Sequence, residues 1–304
     1  MLLVNNTYII KILTLIITGP CGIILNASIV AVHLSHWKNG VSFGECDQIT
    51  LIKGITNVLL QCFLAFNGII NTFQLYKHFD KEFIFVSYTF FFFLTSLWVW
   101  LTAWLSICYC FKLCNISHRF FIILKKTVPR RITQLLLGTV MILGIIKIPI
   151  FWSLNINAKL NTSSTLTVPF FILETDIRYL SFAVAFVSLL QFGCCLPTLI
   201  TSFCMGLSLM SLLRHVRRMK QNNSQSWSGK MKTHARACMA IFLLLALNLF
   251  FFLTVFISII LKFNIASYWD TFFFSIILAS PSGQGFILLF GNSKLRHDLL
   301  KICL

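Results

Sequence analysis

Seven long apolar runs decide the fold class of this chain before any other feature is considered. A helix needs about 20 apolar residues to cross the hydrocarbon core of a bilayer. Runs of that kind lie at 8–35, 47–70, 84–111, 132–154, 178–213, 235–261 and 268–291. The expected fold is an all-α membrane protein, a single seven-transmembrane helix bundle over 1–304. The fifth run is too long for one simple span. Its end, Arg214-His215-Val216-Arg217-Arg218, is expected to project into water as a basic helix. The first residues lack a basic n-region, and the apolar run after them outlasts a signal h-region, so it reads as a retained span.

Charge supports the same class and orients the bundle. Only 11% of residues are charged, against roughly 25% in a soluble domain. The formal net charge is +17. With no soluble basic domain to hold a duplex, that excess points to topology and membrane lipid contact, not to nucleic acid. With the N-terminus outside, the inner side receives Lys38, six Lys and Arg between spans three and four, seven between spans five and six, and three in the tail. The outer side receives six. The positive-inside rule therefore predicts N-terminus outside and C-terminus inside. Asn5-Asn6-Thr7 and Asn161-Thr162-Ser163 are glycosylation acceptor patterns that fall outside in this topology, making Asn5 and Asn161 the candidates. Asn26-Ala27-Ser28 and Asn115-Ile116-Ser117 match as well, but fall in or under the membrane.

Several chemistries lack their residues. The eleven cysteines show no common zinc-ligand spacing, and none lies in the expected outer loops, so neither a metal nor an outer disulfide is expected. With eight acidic residues and no His/Glu/Asp constellation among the spans, no catalytic site and no cofactor are expected. A small transporter would call for internal repeats or several intramembrane charges, and neither pattern is present.

Motifs narrow the class further. Span three ends with Trp104, Leu105-Ser106, Tyr109, Lys112 and Asn115-Ile116-Ser117, then Phe120, Phe121, Lys125 and Lys126. Span five carries Leu196-Pro197 and, later, Ser208-Leu209, Arg214-His215 and Met219. Span six opens with His234-Ala235-Arg236-Ala237. Span seven contains Pro281-Ser282-Gly283 and ends in Leu289-Phe290-Gly291-Asn292-Ser293-Lys294-Leu295. In this order the motifs resemble the type 2, or bitter, taste receptor family of G-protein-coupled receptors, over nearly the whole chain. The rhodopsin-like class would instead place Asp/Glu-Arg-Tyr near Tyr109-Cys110-Phe111-Lys112, and Asn-Pro-x-x-Tyr in span seven. A vomeronasal type 1 pheromone receptor is the nearest rival, and the span-three and span-seven endings argue against it. The chain departs from the family at three places. The family's span-two Arg aligns with Asn57, its span-seven His-Ser with Gln284-Gly285, and its span-three Asn with Thr95.

The resemblance implies a plasma-membrane, multi-pass receptor for small bitter molecules that activates a heterotrimeric, gustducin-like G protein. Ligand is expected between the outer halves of the helices. The candidates there are Phe91, Thr95, Trp98 and Thr102, which follow helical spacing on span three, with Asn67, Phe274 and Leu278. An aromatic stripe of this kind is equally read as packing. The absence of acids at these positions predicts neutral, amphiphilic agonists over amines. Lys112, Lys125, His215, Arg218 and His234 are the G-protein-coupling candidates, although lipid charge alone also accounts for a basic inner face. Asn26, Asn57, Pro197, Pro281 and Gln284 are the switch candidates. Asn26 and Asn248 read either as interhelical glue or as members of a switch network. Asp47 reads as a cap of span two or as a partner of an inner basic residue. Lys53 lies only about 10 Å along its helix and is expected to snorkel to the inner interface. Lys147 is expected to do so at the outer end of span four.

Overall fold

The computed structural model describes residues 2–40, 44–73, 75–114, 119–145, 193, 195–221, 229–260, 267–292 and 295–299. All regular structure among them is helical. The elements are α1 (Leu2–Lys38), α2 (Glu45–Thr72), a 3-10 turn (Leu75–His78), α3 (Lys81–Leu113) and α4 (Arg119–Arg130). There follow α5 (Ile132–Ile145), α6 (Leu196–Gln221), α7 (Gly229–Ile260) and α8 (Ser267–Gly291). A last helical turn covers 295–299.

Six of these helices are long and apolar enough to cross a membrane. The pair α4 and α5 makes up to seven, and it is bent by 82° at the break around Arg131. The helices α1, α2, α3, α7 and α8 overlap the apolar runs at 8–35, 47–70, 84–111, 235–261 and 268–291. Of span four, 132–145 is described, and Lys147 lies outside the described residues. Span five is described from Leu196 onward, and its helix does run on through Arg214 to Gln221. The composition of α4 differs from that of the membrane helices. Arg119, Lys125, Lys126 and Arg130 alternate with Phe121, Ile122, Leu124 and Val128, a pattern with one apolar and one basic face. Such a helix favours an interface over a span.

The helices close into a ring. α1 packs on α2 and α8, α8 on α7, α7 on α6, and α6 on α3, which returns to α2. α3 also reaches α7 across the middle and is the most buried of the membrane helices. Close approach of α1 to its neighbours depends on Gly22. A Cβ there would collide with Ser282 Oγ and Gln61 Oε1.

The interior is layered. One apolar layer gathers Phe91, Leu94 and Trp98 of α3 with Leu60 and Leu64 of α2, Phe251 of α7 and Ile277 and Leu278 of α8. The other gathers Leu101, Leu105 and Cys108 of α3 with Cys46 and Ile49 of α2, Ile29 of α1, Leu244 of α7 and Leu288 of α8. Between them, on every one of these helices, lie buried polar side chains: Asn26, Lys53, Asn57, Gln61, Thr102, Asn248 and Gln284. A polar layer in the middle of a membrane bundle is costly unless its groups bond one another, so their partners matter.

Candidate functional site

The polar layer is joined across helices. Asn57 Nδ2 of α2 donates to Asn26 Oδ1 of α1 at 2.8 Å. Asn26 Nδ2 donates to the Gly22 carbonyl of its own helix at 2.9 Å and to the Pro281 carbonyl of α8 at 3.2 Å. The second bond uses the carbonyl of the helix-interior proline. One turn along α2, Gln61 Nε2 donates to the Leu278 carbonyl at 3.1 Å, and Ser282 Oγ donates to Gln61 Oε1 at 3.1 Å. On the far side, Gln284 Nε2 donates to Asn248 Oδ1 of α7 at 2.7 Å. Each such bond between membrane helices contributes about 0.6–2 kcal/mol. Asn26 and Asn248 thus both bond between helices, and the switch candidates Asn26, Asn57, Pro281 and Gln284 share one layer. Pro197 lies apart, buried near the start of α6, where its carbonyl accepts from the Thr201 hydroxyl at 2.7 Å.

Lys53 overturns the expectation that it snorkels. Its side chain is fully buried. Nζ donates to Thr102 Oγ1 at 2.7 Å and to the Trp98 carbonyl at 3.1 Å, and lies 5.7 Å from the centre of the Trp98 ring. The amine therefore points into α3, where acceptors and a ring face replace water. Distance along the helix axis gave no warning, because the rotation of α2, not its depth, turns Lys53 inward. Gln61 was likewise not among the candidates. The spacing Lys53, Asn57, Gln61, one residue per turn on a single face, was the available signal.

The seven ligand candidates divide. Phe91, Trp98 and Leu278 are buried in the first apolar layer, with Phe274 packed against it. The Trp98 and Phe251 ring centres are 5.0 Å apart. The indole N–H of Trp98 is buried without a hydrogen-bond partner among the described residues. Thr95 faces the same way, but its hydroxyl donates back to the Phe91 carbonyl. Asn67 also turns to its own helix, donating to the Phe63 carbonyl at 2.9 Å. Thr102 lies deeper, in the polar layer with Lys53.

One end of the bundle carries the basic residues. Lys112, at the end of α3, lies 3.4 Å from Glu45 at the start of α2. Lys125 of α4 donates to the Cys114 carbonyl at 3.1 Å and Ser211 of α6 to the Leu113 carbonyl at 3.0 Å, so two neighbours satisfy the open end of α3. His36 of α1 lies 3.1 Å from Asp298 of the last helical turn. His215 and Arg218 fall on α6 and His234 on α7 near the same end. Asp47 lies in the first turn of α2, where the helix dipole favours an acid. The N-cap is Gly44, however, and it receives no side-chain capping bond.

Comparison with known proteins converges on one family. The family model described as taste receptor protein (TAS2R) matches residues 2–304. Taste receptor type 2 member 7 of Pongo pygmaeus is 29% identical over 292 residues, covering 92% of this chain and 88% of that protein. The protein of the same name from Pan troglodytes is also 29% identical over 292 residues, with the same two coverages. Taste receptor type 2 member 40 of Gallus gallus is 26% identical over 286 residues, covering 92% of this chain and 90% of that protein. With a match along its whole described length, this multi-pass membrane protein belongs to the taste receptor (TAS2R) family: it is a chemosensory G-protein-coupled receptor and not an enzyme.

Proposed function

We propose that the chain works in the plasma membrane as one seven-span unit over 1–304, with its basic end in the cytosol. In that orientation it binds small, neutral bitter molecules from outside and activates a gustducin-like heterotrimeric G protein. The observation that carries the ligand reading is the composition of the first apolar layer. Phe91, Trp98 and Leu278 come together from α3 and α8 with Phe251 of α7, and none of the residues in that layer is acidic. An apolar, aromatic wall without a carboxylate favours amphiphilic neutral molecules and gives an amine no counter-ion. Phe274 and Asn67 would border the ligand from α8 and α2, with Thr95 between Phe91 and Trp98.

Binding would act on the polar layer below, where Asn26, Asn57, Pro281 and Gln284 hold α1, α2, α7 and α8 together. A ligand that prefers one arrangement of these helices shifts the population toward it. Lys112, Lys125, His215, Arg218 and His234 are the side chains proposed to meet the G protein, with Pro197 allowing α6 to move. Anionic lipid would neutralise the remaining basic residues. Asn5 and Asn161 are the proposed glycosylation sites; Asn161 lies outside the described residues.

Calcium imaging tests the reading. Cells expressing the receptor with a promiscuous G protein are expected to respond to neutral bitter compounds. Responses dominated by cationic amines, or silence across a broad panel in surface-expressing cells, would overturn it.

A further inference from the structure

The basic end holds two cysteines, Cys46 and Cys108, that ligand binding and coupling leave unused. Cys46 is the second residue of α2 and meets the last turns of α3. Its sulfur lies 3.3 Å from Lys112 Nζ, and it packs in one buried cluster with Cys108, which stands one turn before Lys112 on α3. Both cysteines are buried, while Lys112 is 49% exposed, so the pair lies one side chain below the surface. Glu45 holds the same ammonium at 3.4 Å and fixes its position. Cys46 also lies in the first turn of its helix, where unpaired N–H groups concentrate positive potential. An ammonium, a helix N-terminus and a second thiol thus surround one sulfur, the setting in which a cysteine acts as a nucleophile. The other thiol group at this end differs. Cys110 has thiols and the Ser208 hydroxyl as its neighbours, and its sulfur lies 3.8 Å from Cys114, four residues on.

We propose that Cys46 is an oxidative modification site whose co-substrate is a hydroperoxide, with Cys108 as the resolving thiol. The Cys46 thiolate attacks one oxygen of hydrogen peroxide. The S–O bond forms, the O–O bond breaks, and the leaving hydroxide takes up a proton to become water. The Cys108 thiol then attacks the sulfenic sulfur. The S–S bond forms, the S–O bond breaks, and the departing hydroxide carries the Cys108 proton away as a second water. Two thiols are oxidised and one peroxide is reduced to two waters. The product ties the first turn of α2 to the last turns of α3. A reducing thiol such as glutathione reverses it by exchange.

The test uses the full-length receptor in lipid nanodiscs, treated briefly with hydrogen peroxide, alkylated and mapped by peptide mass spectrometry. The first disulfide expected is Cys46–Cys108, and reductant removes it. In Cys108→Ser, a dimedone probe is expected to accumulate on Cys46 as the trapped sulfenic acid. Adding Lys112→Gln to that variant slows capture by roughly three- to tenfold, and Lys112→Arg restores it. A first disulfide at Cys110–Cys204 would overturn the proposal. So would dimedone capture at Cys46 no faster than at the buried Cys238, or a rate indifferent to the charge at position 112. The disulfide map is made on the unaltered chain, so it decides the matter even where a variant fails to fold.

Discussion

Lys53 Nζ donates to Thr102 Oγ1 across 2.7 Å in the middle of the bundle, and neither side chain is exposed. The pair joins α2 to α3 at the level where Asn26, Asn57 and Gln284 join the other helices. No carboxylate is among the described contacts of Lys53; its partners are a hydroxyl, a carbonyl and a ring. The family resemblance aligns the family's span-two Arg with Asn57. Here a basic side chain enters the same layer from one turn earlier on α2.

Removing the Thr102 acceptor tests that arrangement. Thr102→Val keeps the shape but leaves the buried amine with one fewer partner, at a cost of about 1–3 kcal/mol. Purified Thr102→Val is expected to melt several degrees below wild type in a fluorescence thermal-shift assay. Lys53→Met, which removes the amine with its need for a partner, is expected to melt closer to wild type than Thr102→Val does. Equal melting of Thr102→Val and wild type would show that the bond contributes nothing.

Two glycines of α8 separate packing from the polar network. A Cβ on Gly285 would lie 2.7 Å from Asn26 Oδ1, the acceptor of the Asn57 bond. A Cβ on Gly283 would meet only Leu247, at 3.3 Å from a side-chain methyl that can shift. Gly285→Ala should therefore reduce surface expression or the maximal calcium response, with Gly283→Ala near wild type. Surface labelling and dose-response curves for both variants check this. The reverse order would contradict the geometry.

Pro281 offers a signalling test. Its missing N–H leaves the helical ladder of α8 incomplete, and its own carbonyl accepts from Asn26 at 3.2 Å. Pro281→Ala restores a donor and stiffens this turn. Agonist potency or efficacy is expected to change more than surface expression. An unaltered dose-response curve at normal expression would count against a switching role.

At the basic end, neighbouring lysines should behave differently. Lys125 closes the C-terminus of α3 through the Cys114 carbonyl, whereas Lys126 is exposed. Lys125→Ala is expected to lose about 0.5–1.5 kcal/mol of stability, and Lys126→Ala almost none. Thermal shift separates them. Equal losses would mean that the capping bond carries no weight.

Much of the fold was legible in the chain. Apolar length alone placed α2, α3 and α8 to within about three residues, because a bilayer sets one thickness for every span. It also foretold the basic run of α6 beyond Arg214. The course of α4 was less legible. Its basic and apolar residues marked the inner loop, but nothing in the loop charge count required a helix bent 82° from the next one. Candidate residues fared according to their chemistry. The amides of Asn26, Asn57 and Gln284 stood out because polar groups in apolar runs need partners. Gln61 did not stand out, and Lys53 was read by its depth.

By itself the sequence determined the all-helical membrane class, the family and the residue types available to each helix. Those follow from hydropathy, charge and motif order, which are properties of local chain segments. Tertiary structure alone decided which polar groups meet. Helices that are apolar nearly all the way round carry little signal for how each is rotated about its axis. Rotation is fixed by packing, such as the close passage of α1 at Gly22 against Ser282 and Gln61. That packing turns Lys53 toward Thr102 instead of the membrane surface, and brings Cys46 beneath Lys112 beside Cys108.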